Sequence, residues 1–296
     1  IPPTQEAEVT WMPGRAFEKG QMIVREDALL VATEDFTAKQ QFEAGHWSVY
    51  EKHDYAIFNV FHTWTEYINR LVGAFSGLPV LLLVVISLFY TRKDPLLPLL
   101  SFAVLFLLLF EAWLGKVVVD SNLSEYKISL HMGGALLIVA FLLLLLRKLN
   151  AGGNQIKVNP TFRGLLLLSV VLGLVQIGLG TQVRETIDGL VHSGIERQNW
   201  VNELGSEFIV HRTFAWVVIL LTGALVWLNK KKLYHLKMVN ILGVFVLLEI
   251  LGGVILIYGG MPAFAQPIHL FFAFLMFAFS FFAFLKTFDI SRFPRV

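Results

Sequence analysis

The chain of 296 residues is too apolar for an ordinary water-soluble domain, because 56% of its residues are hydrophobic, only 16% are charged, and the mean hydropathy is +0.65. A formal net charge of +2 gives no indication of a nucleic-acid partner. The sequence has no cysteine, which excludes disulfides and thiolate metal sites. The composition therefore predicts an all-α polytopic membrane protein embedded in a lipid bilayer.

Residues 1–65 are expected to form an exterior loop or cap. They carry five Lys and Arg residues against ten Asp and Glu residues, and polar, aromatic and small residues alternate without a sustained apolar period. We predict short helices near 15–31 and 34–44, and too few apolar residues for an independent core. The histidines of the exterior segments are expected to be solvated, namely His46, His53, His62 and His192.

Apolar runs of about 20 residues, the length of helix that crosses a hydrocarbon core of about 30 Å, recur along the rest of the chain. They predict seven membrane-spanning helices, at about 67–90, 96–119, 128–146, 162–183, 208–228, 236–258 and 267–285.

The orientation of these helices follows from the basic residues of the loops. One side carries clusters of Lys and Arg, and that side should be cytoplasmic, together with the C-terminus. The cytoplasmic set is Arg92, Lys93, Arg147, Lys148, Lys157, Arg163, Lys230, Lys231, Lys232, Lys237, Lys286, Arg292 and Arg295. His235 lies in one of these loops. We therefore expect an integral protein of a bacterial plasma membrane with residues 1–65 outside.

The spans fall into two matching halves, 66–150 and 151–296. The second half has four spans and the first has three. Residues 1–65 are expected to be translocated although no starting Met or signal peptide precedes them. We therefore expect one further helix before Ile1, which would complete two tandem four-helix bundles.

Four inward-running helices begin with a potential metal ligand at the same edge of the membrane. Asn69 and His211 open one pair of equivalent helices, and His131 and His269 open the other. The spacing within a half is 62 residues in the first and 58 in the second. His is the usual axial ligand of haem iron, although a single intramembrane His is also commonly a hydrogen-bonded packing residue. The repeat favours haem ligation by His211 and His269.

Outward-running helices share a Glu or Gln followed four residues later by Gly. The three copies begin at Glu111, Gln176 and Glu249. Close helix packing is one interpretation of this pattern. Because ionisable groups inside a membrane are costly, the alternative is that the two acids face a partner or the polar edge of a cofactor.

Several charged residues lie near the four ligand positions. Arg70 and Arg212 each follow one of them directly, and Arg184 is a similar candidate; all three are interpreted either as membrane anchors or as partners of haem propionates. Glu66 precedes Asn69 by one helical turn, which is consistent with a proton relay, a transient ligand or an acid at a helix N-terminus. The second half keeps an acid, Glu207, four residues before its His.

These segments resemble the haem A synthase family, over a region from about Trp64 to Leu285. The matching motifs, in chain order, are Thr65–Gly73, Val118–Ser121 followed by His131-Met132, Gly180–Glu185, His211-Arg212 and Gln266–His269. The start of the chain, Ile1–Thr4, resembles the segment after the family's first helix. The resemblance implies eight helices in two four-helix halves and oxidation of a methyl group of haem O to the formyl group of haem A.

The resemblance further implies a function for each half. The second half would bind a haem b cofactor through His211 and His269, and the first half would bind the substrate haem O with His131 as a ligand and Glu66 as the catalytic acid. Asn69 stands where many members have a second His on the substrate side. The exterior cysteine pair that some members carry is also absent from 185–203.

The difference between the two halves agrees with their chemistry. A haem with two strong axial ligands suits electron transfer, whereas a site with one His and a weak second ligand can change its coordination. The resemblance implies haem O synthase as the substrate donor, while the electron donor and a homo-oligomeric state are left open. The alternatives are a di-haem b electron-transfer cytochrome and a non-enzymatic haem carrier or assembly factor.

Overall fold

The structure is a computed structural model that describes residues 11–25, 28–49, 60–120, 125–149 and 155–288. The chain divides into two compact units, Ile1–Leu78 and Pro79–Val296. The division falls inside the first long helix, directly before Pro79, whose ring nitrogen cannot donate a helical hydrogen bond.

The described part of residues 1–65 contains five short β-strands. Two antiparallel sheets form: β1 pairs with β4, and β3 lies between β2 and β5. The strands are β1 (Ala16–Phe17), β2 (Met22–Arg25), β3 (Ala28–Ala32), β4 (Phe36–Thr37) and β5 (Trp47–Val49).

The prediction of short helices near 15–31 and 34–44 is therefore wrong. These ranges contain strands whose alternate residues point into a small core, the period-two pattern of a sheet with one buried face. The core also contradicts the expectation that the segment has too few apolar residues to build one. Its buried residues are Phe17, Ile23, Ala32, Ala38 and Trp47.

The His46 side chain lies between two glutamates. Its Nδ1 lies 2.7 Å from Glu34 Oε1 and its Nε2 lies 3.0 Å from Glu43 Oε2. The ring also stacks on Phe36 with centroids 4.5 Å apart. Hydrogen bonds to Glu34 and Glu43 raise the pKa of His46, and those from Lys39 and His46 lower the pKa of Glu43. The His46 side chain is still 29% exposed, so it is solvent-accessible as expected, although two carboxylates hold it in place.

The described remainder of the chain is helical. Seven helices are long and apolar enough to cross a membrane, which confirms the predicted spans. The helices are α1 (Val60–Leu88), α2 (Leu96–Asp120), α3 (Glu125–Leu149), α4 (Pro160–His192), α5 (Trp200–Glu203), α6 (Ser206–Lys231), α7 (Lys237–Tyr258) and α8 (Ala265–Leu285). The fourth span continues about two turns beyond its predicted end at 183. Its start is fixed by Asn159, whose side chain accepts a hydrogen bond from Phe162 N at 2.7 Å.

Helices α4, α6, α7 and α8 pack as a closed ring. In this ring α4 contacts α6, α6 contacts α7, α7 contacts α8, and α8 contacts α4. Within the described residues α6 and α8 have at most marginal contact, so they stand diagonally across the interior. One core cluster of the ring consists of Val218, Leu242, Val246 and Met276. This is the arrangement of a four-helix bundle, in which side chains of facing helices can share an interior site.

Helices α2 and α3 form a close pair, and α3 also packs against α8 and α4. In the second unit, Val80 and Leu83 of α1 pack on a cluster formed by Leu97, Val104 and Leu145. Many Leu, Val and Phe side chains on the outer faces of the spans are exposed, as expected for helices surrounded by lipid.

Some basic residues that predict the orientation also join helix ends. Lys148 at the end of α3 lies 2.8 Å from Asp94 Oδ2. Arg147 Nη2 donates to the Phe288 carbonyl and Arg163 Nη2 donates to the Thr287 carbonyl, each at 3.0 Å. The carbonyl groups that follow α8 are thus satisfied by side chains from two other helices.

Candidate functional site

Three predicted ligands lie in the same kind of local environment. Each histidine lies in the first two turns of its helix and contacts the Glu or Gln of a helix that precedes it or packs beside it. Each ring also lies against a glycine of that same neighbouring helix. The three pairs are His131 with Glu111, His211 with Gln176, and His269 with Glu249. We call each set of polar residue, glycine and imidazole a histidine cradle.

The first cradle joins α2 and α3. His131 Nδ1 lies 2.6 Å from Glu111 Oε2, and the Glu111 side chain is only 7% exposed. A Cβ atom on Gly115 would meet His131 Cε1 at 3.6 Å, an ordinary van der Waals contact, so the ring lies directly beside this glycine. Gly134 faces the Glu111 carboxylate so closely that any side chain at this position would collide with it. Gly134 therefore lets the buried acid lie between the two helices.

The cradle of α7 and α8 repeats this geometry. His269 Nδ1 lies 2.8 Å from Glu249 Oε2. A Cβ atom on Gly252 would approach His269 Nδ1 to 2.9 Å, which is closer than real side chains pack, whereas one on Gly253 would lie 3.9 Å from Cε1. The position of the ring therefore depends on the missing side chain at Gly252.

The cradle of α4 and α6 contains an amide in place of a carboxylate. Gln176 Nε2 lies 3.3 Å from His211 Nδ1 and 3.5 Å from its Nε2, and it donates to the His211 carbonyl at 3.2 Å. A Cβ atom on Gly180 would approach His211 Cε1 to 3.3 Å. The amide is thus held by the backbone of α6 as well as by the ring.

The polar atoms of the cradles are buried and their hydrogen bonds are not completed inside the described protein. In the two Glu cradles the ring N–H is not aligned with the carboxylate despite the short distance; a modest rotation of either side chain would align them. The buried atoms without an aligned partner among the described residues are Glu111 Oε1 and Oε2, His131 Nδ1, Gln176 Oε1, Glu249 Oε1 and His269 Nδ1.

His211 and His269 share the interior of the four-helix ring. They lie on the diagonal helices α6 and α8 and are close enough to interact electrostatically. Within the described residues no three His, Asp or Glu side chains converge as a metal site. An axial haem pair needs only two imidazoles, because the porphyrin supplies the other four ligands.

The residues present fit a haem. With Nδ1 directed to the carboxylate, the opposite ring nitrogen of His269 is the one available to iron, which is the usual arrangement of a histidine ligand with an outer partner. The glycines leave space for the rings beside the helix backbones. His131 has the same arrangement in the first half.

Two of the three predicted propionate partners, Arg184 and Arg212, have different surroundings. Arg184 forms an ion pair with Asp188 at 2.7 Å and donates to Gln266 at the start of α8. Arg212 stacks over the ring of Phe208 at 5.5 Å. Arg184 therefore links the outer ends of α4 and α8, three residues before His269, and it can hold this edge of the bundle whether or not it contacts a propionate.

Glu66, Asn69 and Arg70 lie on the part of α1 that belongs to the first unit. All three side chains are exposed, and Arg70 Nη2 contacts Glu66 Oε2 at 3.3 Å. Their predicted roles toward a substrate haem stay predictions. Glu207 in the second half caps its own helix, since Gly205 N donates to Glu207 Oε1 at 2.8 Å.

Four other histidines had been assigned to loops. His235 is exposed, as expected for its loop. The side chains of His62 and His192 and the whole of His53 lie outside what the structure describes.

Sequence reasoning missed two features of the site. One is a hydrogen bond between the halves. Ser129, two residues before His131, donates from Oγ to Glu185 Oε1 at 2.6 Å. No pattern in the sequence signals it. The other is the pairing of each Glu or Gln with a particular histidine. The threefold repetition of the pattern ahead of a histidine was a usable signal for that pairing.

The chain was compared with known proteins. A family model described as cytochrome oxidase assembly protein, COX15-CtaA, matches residues 32–281. The chain is also 28% identical over 180 residues to a protein of Shouchella clausii (strain KSM-K16) named Heme A synthase, a match that covers 57% of this chain and 60% of that relative. The resemblance inferred from the motifs is confirmed at the level of the family. The chain belongs to the COX15-CtaA family of cytochrome oxidase assembly proteins.

Proposed function

We propose that this protein is a haem A synthase, an oxidoreductase that converts a methyl group of haem O to the formyl group of haem A for the assembly of a terminal oxidase. The observation that carries the proposal is the recurrence of the histidine cradle in both halves of a membrane-embedded member of this family. The relative named Heme A synthase supports the choice of reaction.

The second half would hold a resident haem b. His211 and His269 would be its axial ligands, and Arg184 and Arg212 lie at the same edge of the bundle, where guanidinium groups can pair with propionates. A bis-histidine haem supplies electron transfer when bound.

The first half would bind haem O as the substrate. His131, positioned by Glu111, would be its fixed ligand, with Asn69 as a weak or absent second ligand and Arg70 as a candidate propionate partner. Glu66 would act as the acid that moves protons at the reacting methyl group. Each of two successive hydroxylations would replace a C–H bond of that methyl by C–OH, a two-electron oxidation whose oxidant and oxygen atom come from outside the chain. Loss of water from the resulting gem-diol would give the aldehyde.

The cellular setting of the proposal follows from the reaction and the sequence. The protein would lie in a bacterial plasma membrane with residues 1–65 outside and the C-terminus in the cytoplasm, and haem O synthase would supply the substrate. A di-haem electron-transfer cytochrome would share the cradles but convert nothing. A haem carrier or assembly factor would bind haem O without needing Glu66.

Co-expression with a source of haem O tests the activity directly. We expect extracted haems to contain haem A or its hydroxylated intermediate, identified by chromatography and mass spectrometry. If two low-spin haems are present without any conversion, the electron-transfer cytochrome is the better description.

The variant Glu66→Gln separates the enzyme from the carrier. The amide keeps the size of the side chain but cannot transfer a proton, so haem A formation should fall by about 100-fold or more while the spectrum of the resident haem is unchanged. Glu203→Gln, an exposed acid of α5, is the charge-matched control and should retain full conversion. Full activity of Glu66→Gln would contradict the catalytic role and favour the carrier.

A further inference from the structure

The two ligands of the proposed resident haem are supported by chemically different partners. His269 faces the carboxylate of Glu249, and His211 faces the amide of Gln176. We propose that Glu249 and Gln176 are positioning residues that make the two axial ligands unequal, with His269 the stronger donor to iron and His211 the weaker. This inference rests on the proposed function only in assuming that a haem occupies the second half.

The carboxylate acts on His269 through the ring nitrogen that does not face the iron. Glu249 Oε2 is 2.8 Å from Nδ1, within hydrogen-bonding distance, and the side chains of His269 and Glu249 are only 25% and 15% exposed, so such a contact is screened little by water. A carboxylate that accepts from Nδ1–H increases the electron density on the imidazole and fixes its orientation. With Nδ1–H aligned on this carboxylate, Glu249 would strengthen the bond from Nε2 to a haem iron.

The amide of Gln176 cannot do the same for His211. Its NH2 group donates to the His211 carbonyl at 3.2 Å, and the same nitrogen faces the ring at 3.3 Å from Nδ1. An NH2 group has no lone pair to accept the Nδ1 proton. The amide oxygen is buried and has no hydrogen-bond partner among the described residues, so it does not serve the ring either. His211 thus lacks the acceptor that His269 has.

The first half also pairs a histidine with a carboxylate, at the position equivalent to His269. His131 is the counterpart of His269, and its partner Glu111 is again a carboxylate, 2.6 Å from Nδ1. Asn69 is the counterpart of His211. The carboxylate-supported histidine is thus common to the two halves, whereas the repeat equivalent of His211 in the first half is Asn69, a weaker ligand type.

The reduction potential of the resident haem distinguishes this inference from a purely structural role. A stronger donor stabilises ferric iron, so Glu249→Gln should raise the midpoint potential and Gln176→Glu should lower it. We expect each change to shift the reduction equilibrium by about tenfold, or about 59 mV for one electron. The double variant Gln176→Glu/Glu249→Gln exchanges the partners and should return close to the wild-type potential.

The measurement is a redox titration of the purified haem-containing protein followed by its absorption spectrum. Glu203→Gln controls for the loss of one negative charge, and its potential should not change. Shifts of the two single variants in the same direction, or no larger than that of the control, would overturn the inference. If Gln176→Glu does not accumulate in membranes, Glu249→Gln decides by itself, because the substitution preserves side-chain size.

The outcomes also separate the inference from the proposed function. If the wild-type protein makes haem A but Glu249→Gln and Gln176→Glu leave the midpoint potential of the resident haem unchanged, only the positioning role is contradicted. If the wild-type protein holds haem but converts no haem O, and the two single variants shift the midpoint potential in the expected opposite directions, only the proposed reaction is contradicted.

Discussion

The cradles of His131 and His269 are equivalent in the repeat but differ in how far they enclose the imidazole. Both rings contact a carboxylate through Nδ1, at 2.6 Å and 2.8 Å, and both lie against glycine. The His131 side chain is nevertheless 43% exposed, whereas that of His269 is 25% exposed. His269 also has a second imidazole across the same bundle, His211.

This difference separates the fixing of a ligand from the enclosure of a site. The same Glu and Gly arrangement orients a histidine in both halves, so orientation alone does not distinguish a cofactor site from a substrate site. A resident cofactor benefits from an enclosed pair of strong ligands, whereas a substrate has to enter and leave. The more open His131 cradle agrees with the proposal that the first half binds the substrate.

Removal of either histidine of the second half should have the largest effect. His269→Ala and His211→Ala each remove an axial ligand, and we expect loss of the stable low-spin haem b spectrum from the purified protein. His235→Asn is the matched control, since His235 lies exposed in a loop with φ at 55°, a conformation that Asn tolerates. An unchanged spectrum in the two alanine variants would remove the basis for a haem in this bundle.

A second histidine in the first half should make the two halves more alike. Asn69→His is expected to give a more tightly ligated substrate haem and to slow haem A formation by about tenfold or more, the usual scale of a changed ligand environment. The spectrum with haem O bound and the rate of conversion report the two effects. If both are unchanged, Asn69 does not face the iron.

A methyl group added at Gly252, in the cradle of α7 and α8, should displace the His269 ring without destabilising the helix. In Gly252→Ala the new Cβ would be 2.9 Å from His269 Nδ1, so the ring must move and haem retention should weaken by about tenfold. Gly253→Ala is the neighbouring control, because its Cβ would lie at 3.9 Å. Both substitutions favour the helix by roughly 1 kcal/mol. The unfolding temperature of the haem-free protein should therefore not fall. Equal haem loss in both variants would contradict a specific contact.

The smallest effect concerns residues 11–49, which contain no residue of the three cradles. The raised pKa of His46 stabilises the fold fully below about pH 6.5, and this stabilisation is lost as the pH rises through the folded-state pKa. The lowered pKa of Glu43 acts above about pH 4.5 and is lost as the pH falls through its folded-state value. Residues 11–49 should therefore be most resistant to protease between these limits, by a small margin because both groups are solvent-accessible.

Limited proteolysis of the full chain across this pH range measures the effect. In His46→Gln the decline at higher pH should disappear while the decline at low pH is reduced, since Glu43 keeps its contact with Lys39. A profile of the variant that matches the wild type would show that the His46 contacts do not contribute.

The membrane-embedded part was largely predictable because its signal is local. Each span is a continuous apolar run, and a helix satisfies its own backbone hydrogen bonds wherever such a run meets lipid. The secondary structure of residues 15–44 was predicted wrongly because strands pair with residues that are distant in sequence: Ala16 of β1 pairs with Thr37 of β4. Short strands give too weak a periodic signal to exclude helices.

The candidate site was predictable only in part. The repeat predicted His131, His211 and His269 as ligands, and it grouped Glu111, Gln176 and Glu249 as one pattern. Helix packing and contact with a partner both remained open for that pattern, because a polar residue near a glycine is compatible with both.

The sequence by itself determined the class of the protein, its seven spans, and the chemical type of residue at each ligand position, since these depend on composition and on local hydropathy. The tertiary structure decided which side chain supports which histidine. Contacts such as that of Gln176 with His211 join residues on different helices, and only the packing of α4 against α6 brings them together. Burial then makes these contacts count, because polar groups in the membrane interior exchange few hydrogen bonds with water.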